Sequence, residues 1–432
     1  FESKKKSIFH LKKYDSQLLS KFSFDKYILI GNGDYGPIYK VRHIIDKKIY
    51  CMKVYEKDKV ILQGSLYSIM QELEFFKKVN GNSLFITTLK CAFQDKEAFY
   101  LVQEYCEGGD LRYLMNKTIL TEVKSKFILA CVIYSLEYLH SEGFAYRDLK
   151  PENILIDKKG YVKLGDFKLL REISTLNFHD TTGTKGYMAP EIILNQNHGC
   201  ASDIFSLGVI AYELMLGKLP YDHESREIYK QEIIKEIVLI KNSDLPEGWS
   251  QESADFINRC ILRRPITRIG YNSIEEIKDH KWFLEIDWGY IKKKTQPPPY
   301  VPSRGSNYNP RNKNHSNYYS MLESHHLKNL ELYIEDLEVQ GYFIGYYYDE
   351  FYKKFLNLTT KKRVEKKKYK EVLDELVAAE KKEKNFELLE SEEDQPKNDS
   401  KILLSKSDGN RENIPIQSGN DGSRREESLL LN

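Results

Sequence analysis

"YRDLKPEN", residues 146–153, sets an aspartate, a lysine two residues on and an asparagine five residues on within one short polar stretch. Asp148 supplies a proton acceptor, Lys150 a positive charge for a phosphoryl group in transit, and Asn153 an amide oxygen for a metal ion. Thirteen residues past Asn153 stands Asp166, in "LGDFKLL", residues 164–170, a second oxygen ligand at hairpin spacing. Asp203 and the "APE" of residues 189–191 follow along the chain, and an ordered set of this kind is specific.

Upstream, "GNGDYG", residues 31–36, puts Gly31, Gly33 and Gly36 between two strand-like runs. Backbone amides there can fold over phosphates where side chains would collide, although a tight hairpin also needs glycine. Lys53, in "CMKV", lies on the next strand but one, and alternation turns it inward beneath that loop. An inward lysine needs an anion, and Glu72 in the helical stretch "SLYSIMQELEFFKKV", residues 65–79, is the obvious protein partner.

The bulk numbers narrow the rest. The 432 residues carry a formal net charge of +2, so no global field argues for nucleic acid or an anionic membrane. Six scattered cysteines without CxxC spacing fit thiols in a reducing compartment, hence a cytoplasmic address with the nucleus also open. No leader pattern is visible, and "IFSLGVIAYELML" falls short of the roughly 20 apolar residues a membrane span needs.

Periodicity divides the chain. Residues 1–25 form a basic N-terminal extension; 26–105 read as about five strands, two of them at 84–93 and 98–105, with one helix over 65–79. Residues 106–283 turn helical, with long apolar helices in "KFILACVIYSLEYLHSEG" and "ASDIFSLGVIAYELMLGKLP". Residues 284–360, rich in Pro, Asn and Ser, read as an extended strap ending in an aromatic cluster; 361–432 read as a charged, helical and then disordered tail.

With these blocks in order, residues 26–283 resemble a eukaryotic protein kinase. The resemblance implies an α+β, two-lobed fold: a small antiparallel sheet with one main helix, then a larger helical lobe. It implies transfer of the ATP γ-phosphate to Ser or Thr of a protein substrate, with Mg2+ as the metal. Asp148 would be the catalytic base, Lys150 would support transfer, Lys53 would pair with Glu72, and Asn153 and Asp166 would hold magnesium. Gly31, Asn32, Gly33, Asp34, Tyr35, Gly36, Ile38, Cys51, Lys53 and Asp110 would enclose the nucleotide, adenine would bond the backbone of Glu104 and Cys106, and Gln103 would be the gatekeeper. Arg147, Asp203 and the Glu191–Arg268 pair would be structural. "IKDHKWFLEIDWGYI" followed by "PPPYVP" is similar to the AGC group, whose tail returns an aromatic motif to the small lobe; "YFIGYYY" offers Phe343, Tyr346 and Tyr348, with Tyr347 at the phosphorylated position.

The sequence departs from this pattern in places. Lys168 stands where glycine follows Asp-Phe; it would restrict a turn, strain the backbone if φ is positive, weaken metal binding by repulsion, or point harmlessly into solvent. A catalytically weak or silent scaffold is the alternative reading it opens. Asp180 aligns with the activating phosphothreonine and would pair with Arg147 and Arg171, Thr181 or Thr182 being the rival switch and Thr184 part of the same loop. Lys185 replaces a proline, and Pro37 follows the last loop glycine. Asp110, Glu152 and Glu213 match acids that read arginines before the target residue, so a substrate with basic residues is expected. The chain is expected to act as a monomer, without nucleic acid, and no regulatory module is evident.

Overall fold

The computed structural model describes residues 19–173, 176, 182–221, 230–231, 233, 238–303, 305, 307–308, 343 and 345–350. Residues 1–18 of the expected 1–25 extension, Asp180, Thr181 and the 361–432 tail lie outside them.

Alternating side chains build the opening sheet. Strands β1 (Phe24–Gly33), β2 (Gly36–His43), β3 (Ile49–Glu56), β4 (Leu89–Gln94) and β5 (Ala98–Glu104) are antiparallel, in the order β1-β2-β3-β5-β4. In β3, Tyr50 and Met52 point to a cluster with Phe24, Val41 and Val102, whereas Lys53 and Tyr55 face the main core. Ile38 pairs with Lys53, and Lys53 with Leu101, which fixes the lysine under the glycine-rich turn.

Two helices follow β3, where the periodicity predicts one. Helix α1 (Lys57–Leu62) is six residues long, too short for an i, i+3, i+4 pattern to repeat. Helix α2 (Leu66–Val79) buries Ile69, Glu72, Leu73, Phe75, Phe76 and Val79. The strand expected from residue 84 begins at Leu89, because Phe85 and Thr87 bond Leu164 instead (Thr87 N to Leu164 O 2.8 Å; Leu164 N to Phe85 O 2.8 Å).

The second lobe is helical: α3 (Leu111–Lys117), α4 (Glu122–Ser141), α5 (Pro190–Ile193), α6 (Cys200–Leu216) and α7 (Gln251–Cys260). Helix α4 is apolar around its circumference and fills the lobe's centre. Helices α6 and α7 meet closely at Gly208, where an added Cβ would lie 2.4 Å from the Cβ of Cys260. Short pairs β6 (Phe144–Ala145) with β9 (Arg171–Glu172), and β7 (Ile154–Ile156) with β8 (Val162–Leu164), frame the "YRDLKPEN" loop.

Residues 297–303 run without helix or strand over the second lobe. The carbonyl of Tyr300 occupies the space a Cβ on Gly160 would need, and that of Asn307 the same space at Gly109. The tail returns as β10 (Tyr348–Asp349), antiparallel to β4 on the free edge of the sheet. Among the described residues no helix is long and apolar enough to cross a membrane.

Candidate active site

Lys53 meets two carboxylates between the lobes. Its Nζ lies 3.6 Å from Glu72 Oε1 and 3.4 Å from Asp166 Oδ1. Glu72 is fully engaged: it accepts from the Tyr55 hydroxyl at 2.7 Å and from the Phe167 amide at 3.1 Å, so one helix residue orients both the lysine and the Asp166–Phe167 backbone. Tyr55 is a member the sequence reading missed; its signal was the same-face i, i+2 relation to Lys53. The Phe167 ring is anchored against Phe75 and Phe76, with centroids 4.8 and 5.2 Å away.

The catalytic-type loop is built on Asp203. Its buried carboxylate accepts from the amides of Tyr146 (2.9 Å) and Arg147 (2.7 Å) and contacts His140 Nε2 at 2.8 Å. These bonds hold Arg147 at φ 67°, a left-handed conformation that costs a non-glycine residue energy. Asp148 lies next, 3.2 Å from Lys150 Nζ, accepting from Thr184 Oγ1 at 2.6 Å, while Lys150 donates to the same Thr184 oxygen at 2.7 Å. Thr184, expected as an activation-loop position, therefore closes the Asp148–Lys150 pair. Burial raises the Asp148 carboxyl above its ordinary range against the pull of Lys150, making it a better proton acceptor.

The oxygen donors suit a hard cation. Asn153 spends its Nδ2 on the Asp148 carbonyl (2.8 Å) and Oδ2 (2.9 Å), so that its Oδ1 is the atom that could meet a cation. Asp166, at φ 57°, has a buried Oδ1 with no hydrogen-bond donor among the described residues. Burial opposes its charge, yet Lys168, Lys53 and Lys150 hold its carboxyl below the usual carboxylate range. Among the described residues no cluster of three or more His, Cys, Asp or Glu could hold a metal alone. One carboxylate and one amide fit magnesium, which keeps waters and takes phosphate oxygens for its remaining positions.

The roof of the cleft is the β1–β2 turn. Gly36, at φ 155°, has no room for a side chain, since a Cβ would stand 2.6 Å from Val54 O. Among the described residues nothing lies within 4 Å of a Cβ placed on Gly31, which faces open space. At the hinge, the Glu104 amide donates to Thr88 O (3.0 Å) and its side chain meets Lys163 (2.6 Å). Gln103 is buried, and its Nε2 lacks a partner among the described residues. Cys51 lines the same face, its thiol pushed up to about 11 by burial.

Lys168 corrects the expectation of a solvent-directed or strained lysine. It is not among the left-handed residues, so the position does not demand glycine. Its buried side chain bonds Asp34 at the tip of the glycine-rich turn, lies 3.6 Å from Asp166 Oδ2, and sits 5.6 Å from the Tyr35 ring centroid.

Of the remaining predicted residues, Glu191 and Arg268 form a buried bidentate pair at 2.6 and 2.7 Å. Arg147 Nε donates to Leu169 O at 2.8 Å and Arg171 bonds Gln71; the buried Thr182 Oγ1 has no hydrogen-bond partner among the described residues. Asp110 caps α3, accepting from Tyr113 N at 2.7 Å, and Glu152 and Glu213 are both taken by Arg112. Phe343 and Tyr346 insert beside Phe99 (centroids 5.2 and 4.8 Å), Gln94 Nε2 donates to Phe343 O at 2.7 Å, Asn80 donates to the Tyr348 hydroxyl at 3.0 Å, and Tyr347 packs on the opposite face of the sheet.

Comparison with known proteins agrees with this geometry. The sequence model of the protein kinase domain matches residues 24–283, more than half of the chain. A protein of Dictyostelium discoideum named as a probable serine/threonine-protein kinase is 37% identical over 278 residues, 64% of this chain and 59% of that one. Human RAC-beta serine/threonine-protein kinase is 32% identical over 284 residues (65% and 58%), and mouse ribosomal protein S6 kinase alpha-2 is 34% identical over 293 residues (65% and 38%). The chain thus spans less than two thirds of the length of these relatives. It belongs to the protein kinase family.

Proposed function

We propose that the chain is an ATP-dependent serine/threonine protein kinase that works with magnesium. The observation that carries this reading is the meeting of Lys53 with Asp166, 3.4 Å apart, beside an Asp148–Lys150–Thr184 triangle with contacts of 2.6 to 3.2 Å. Asp166 Oδ1 and Asn153 Oδ1 would hold the metal, which supplies positive charge to the phosphates when bound. Lys53, braced by Glu72, takes phosphate oxygens; Gly31 leaves them room beneath the turn. Asp148 orients the incoming hydroxyl and accepts its proton as the new O–P bond forms and the bond to the ADP leaving group breaks. Lys150 offsets charge on the transferred group.

"DLKPEN" supports Ser or Thr rather than Tyr as acceptor. The six free cysteines fit a cytoplasmic address, and the chain is read as a monomer. The test is phosphate transfer to a mixed Ser/Thr peptide library by wild type and Asp148→Asn. Loss of a charged base costs about 10²–10⁴-fold in rate; wild-type transfer no greater than that of Asp148→Asn would sink the reading.

A further inference from the structure

The acidic corner expected to read a substrate's arginine already holds an arginine from the chain itself. Arg112 projects from α3 in "GGDLRYL" and reaches across to the loop that carries Asp148. Its Nε donates to Glu152 Oε1 at 2.8 Å, its Nη1 to Glu213 Oε1 at 2.6 Å, and its Nη2 to Glu213 Oε2 at 3.3 Å and to the Tyr187 hydroxyl. The Tyr187 hydroxyl in turn donates to Glu213 Oε2 at 2.5 Å. Both oxygens of the buried Glu213 are therefore covered by donors from inside the chain. The third acid, Asp110, is occupied in capping α3. Of the two acids that Arg112 holds, Glu152 stays open to water, with 46% of its side chain exposed.

An incoming arginine would have to displace Arg112 from a charge-assisted, two-pronged contact and then rebuild the same contact. That exchange yields no net bond, and it pits a free peptide against a tethered group whose effective concentration is high. We propose that Arg112 is a specificity-determining residue: it supplies in cis the guanidinium that a basic substrate would bring, so this enzyme acts on protein segments with no arginine facing Glu213. The proposal rests on the kinase reading for its biological meaning, but the recognition it describes is measurable without transfer.

The experiment is fluorescence anisotropy of labelled peptides on the full chain, with arginine or alanine moved singly through the positions before one serine. Phosphate transfer to the same peptides is followed in parallel. Wild type should discriminate by less than about 3-fold, and Arg112→Ala should come to favour the arginine peptide by about 10-fold, the scale of one charge-assisted contact. Adding Glu213→Gln to Arg112→Ala should abolish that gain. Arg112→Phe, which keeps bulk over Glu213 without charge, replaces the alanine variant if the latter does not fold. A wild-type preference for arginine of about 10-fold, indifference in both Arg112 variants, or no binding of any peptide would each overturn the proposal. Discrimination as expected without phosphate on any peptide would instead defeat the kinase reading and leave the recognition standing.

Discussion

Lys168 bonds Asp34 across the cleft, tying the residue after Asp166–Phe167 to the tip of the glycine-rich turn. The same ammonium is 3.6 Å from Asp166 Oδ2, so it competes for a carboxylate that a cation would use. Removing it by Lys168→Gly should tighten Mg2+ binding about tenfold, a conservative figure for one like charge at that range. Asp34→Asn, which releases the lysine onto Asp166, should weaken it. Titration calorimetry of Mg2+ in the presence of a non-hydrolysable ATP analogue measures both, and a shift of equal sign in the two variants would refute the competition.

Tyr346 is fully buried and its hydroxyl has no hydrogen-bond partner among the described residues. Burying an unsatisfied hydroxyl costs about 1–3 kcal/mol. Tyr346→Phe should therefore raise stability by about 1 kcal/mol in urea unfolding, whereas Phe343→Ala, which empties a packed site beside Phe99, should lower it by about 3 kcal/mol. A destabilised Tyr346→Phe would mean the hydroxyl is satisfied.

Glu191 and Arg268 are each 2% exposed and bonded in two places, with Ser202 Oγ donating to Glu191 Oε1 at 2.6 Å. Either single alanine leaves a buried charge alone and should cost about 3–5 kcal/mol. The double variant should cost less than the sum. Additive losses in a double-mutant cycle would show the pair is not coupled.

For His140, burial works against the charged ring, but the bond to Asp203 and that carboxylate's charge outweigh it and raise the ring to about 9. A folded value above the ordinary 6.5 means the bonus is complete below about pH 6.5 and is lost as pH rises through about 9. The loss is about 3 kcal/mol. Wild type should thus lose about that much more stability between pH 6 and pH 9.5 than His140→Gln, measured by urea unfolding at both pH values; equal losses would contradict it.

The order of "GNGDYG", "CMKV", "YRDLKPEN" and "GDF" was enough to carry the resemblance to protein kinases, which implies the two-lobed α+β fold and nominates Lys53, Glu72, Asp148, Asn153 and Asp166. Strand alternation in β3 and helical spacing in α2 then carry Lys53 and Glu72 to the same cleft. What the order of residues left open was which charges find each other. Lys168 read as a liability or a bystander, and only the approach of the β1–β2 turn shows it bridging Asp34 and Asp166. Arg112, one more surface-type arginine in the sequence, takes Glu152 and Glu213 from segments 40 and 101 residues away. Long flexible side chains choose among several anions within reach, and that choice depends on distances and burial set by the packing of whole elements, which no local pattern encodes.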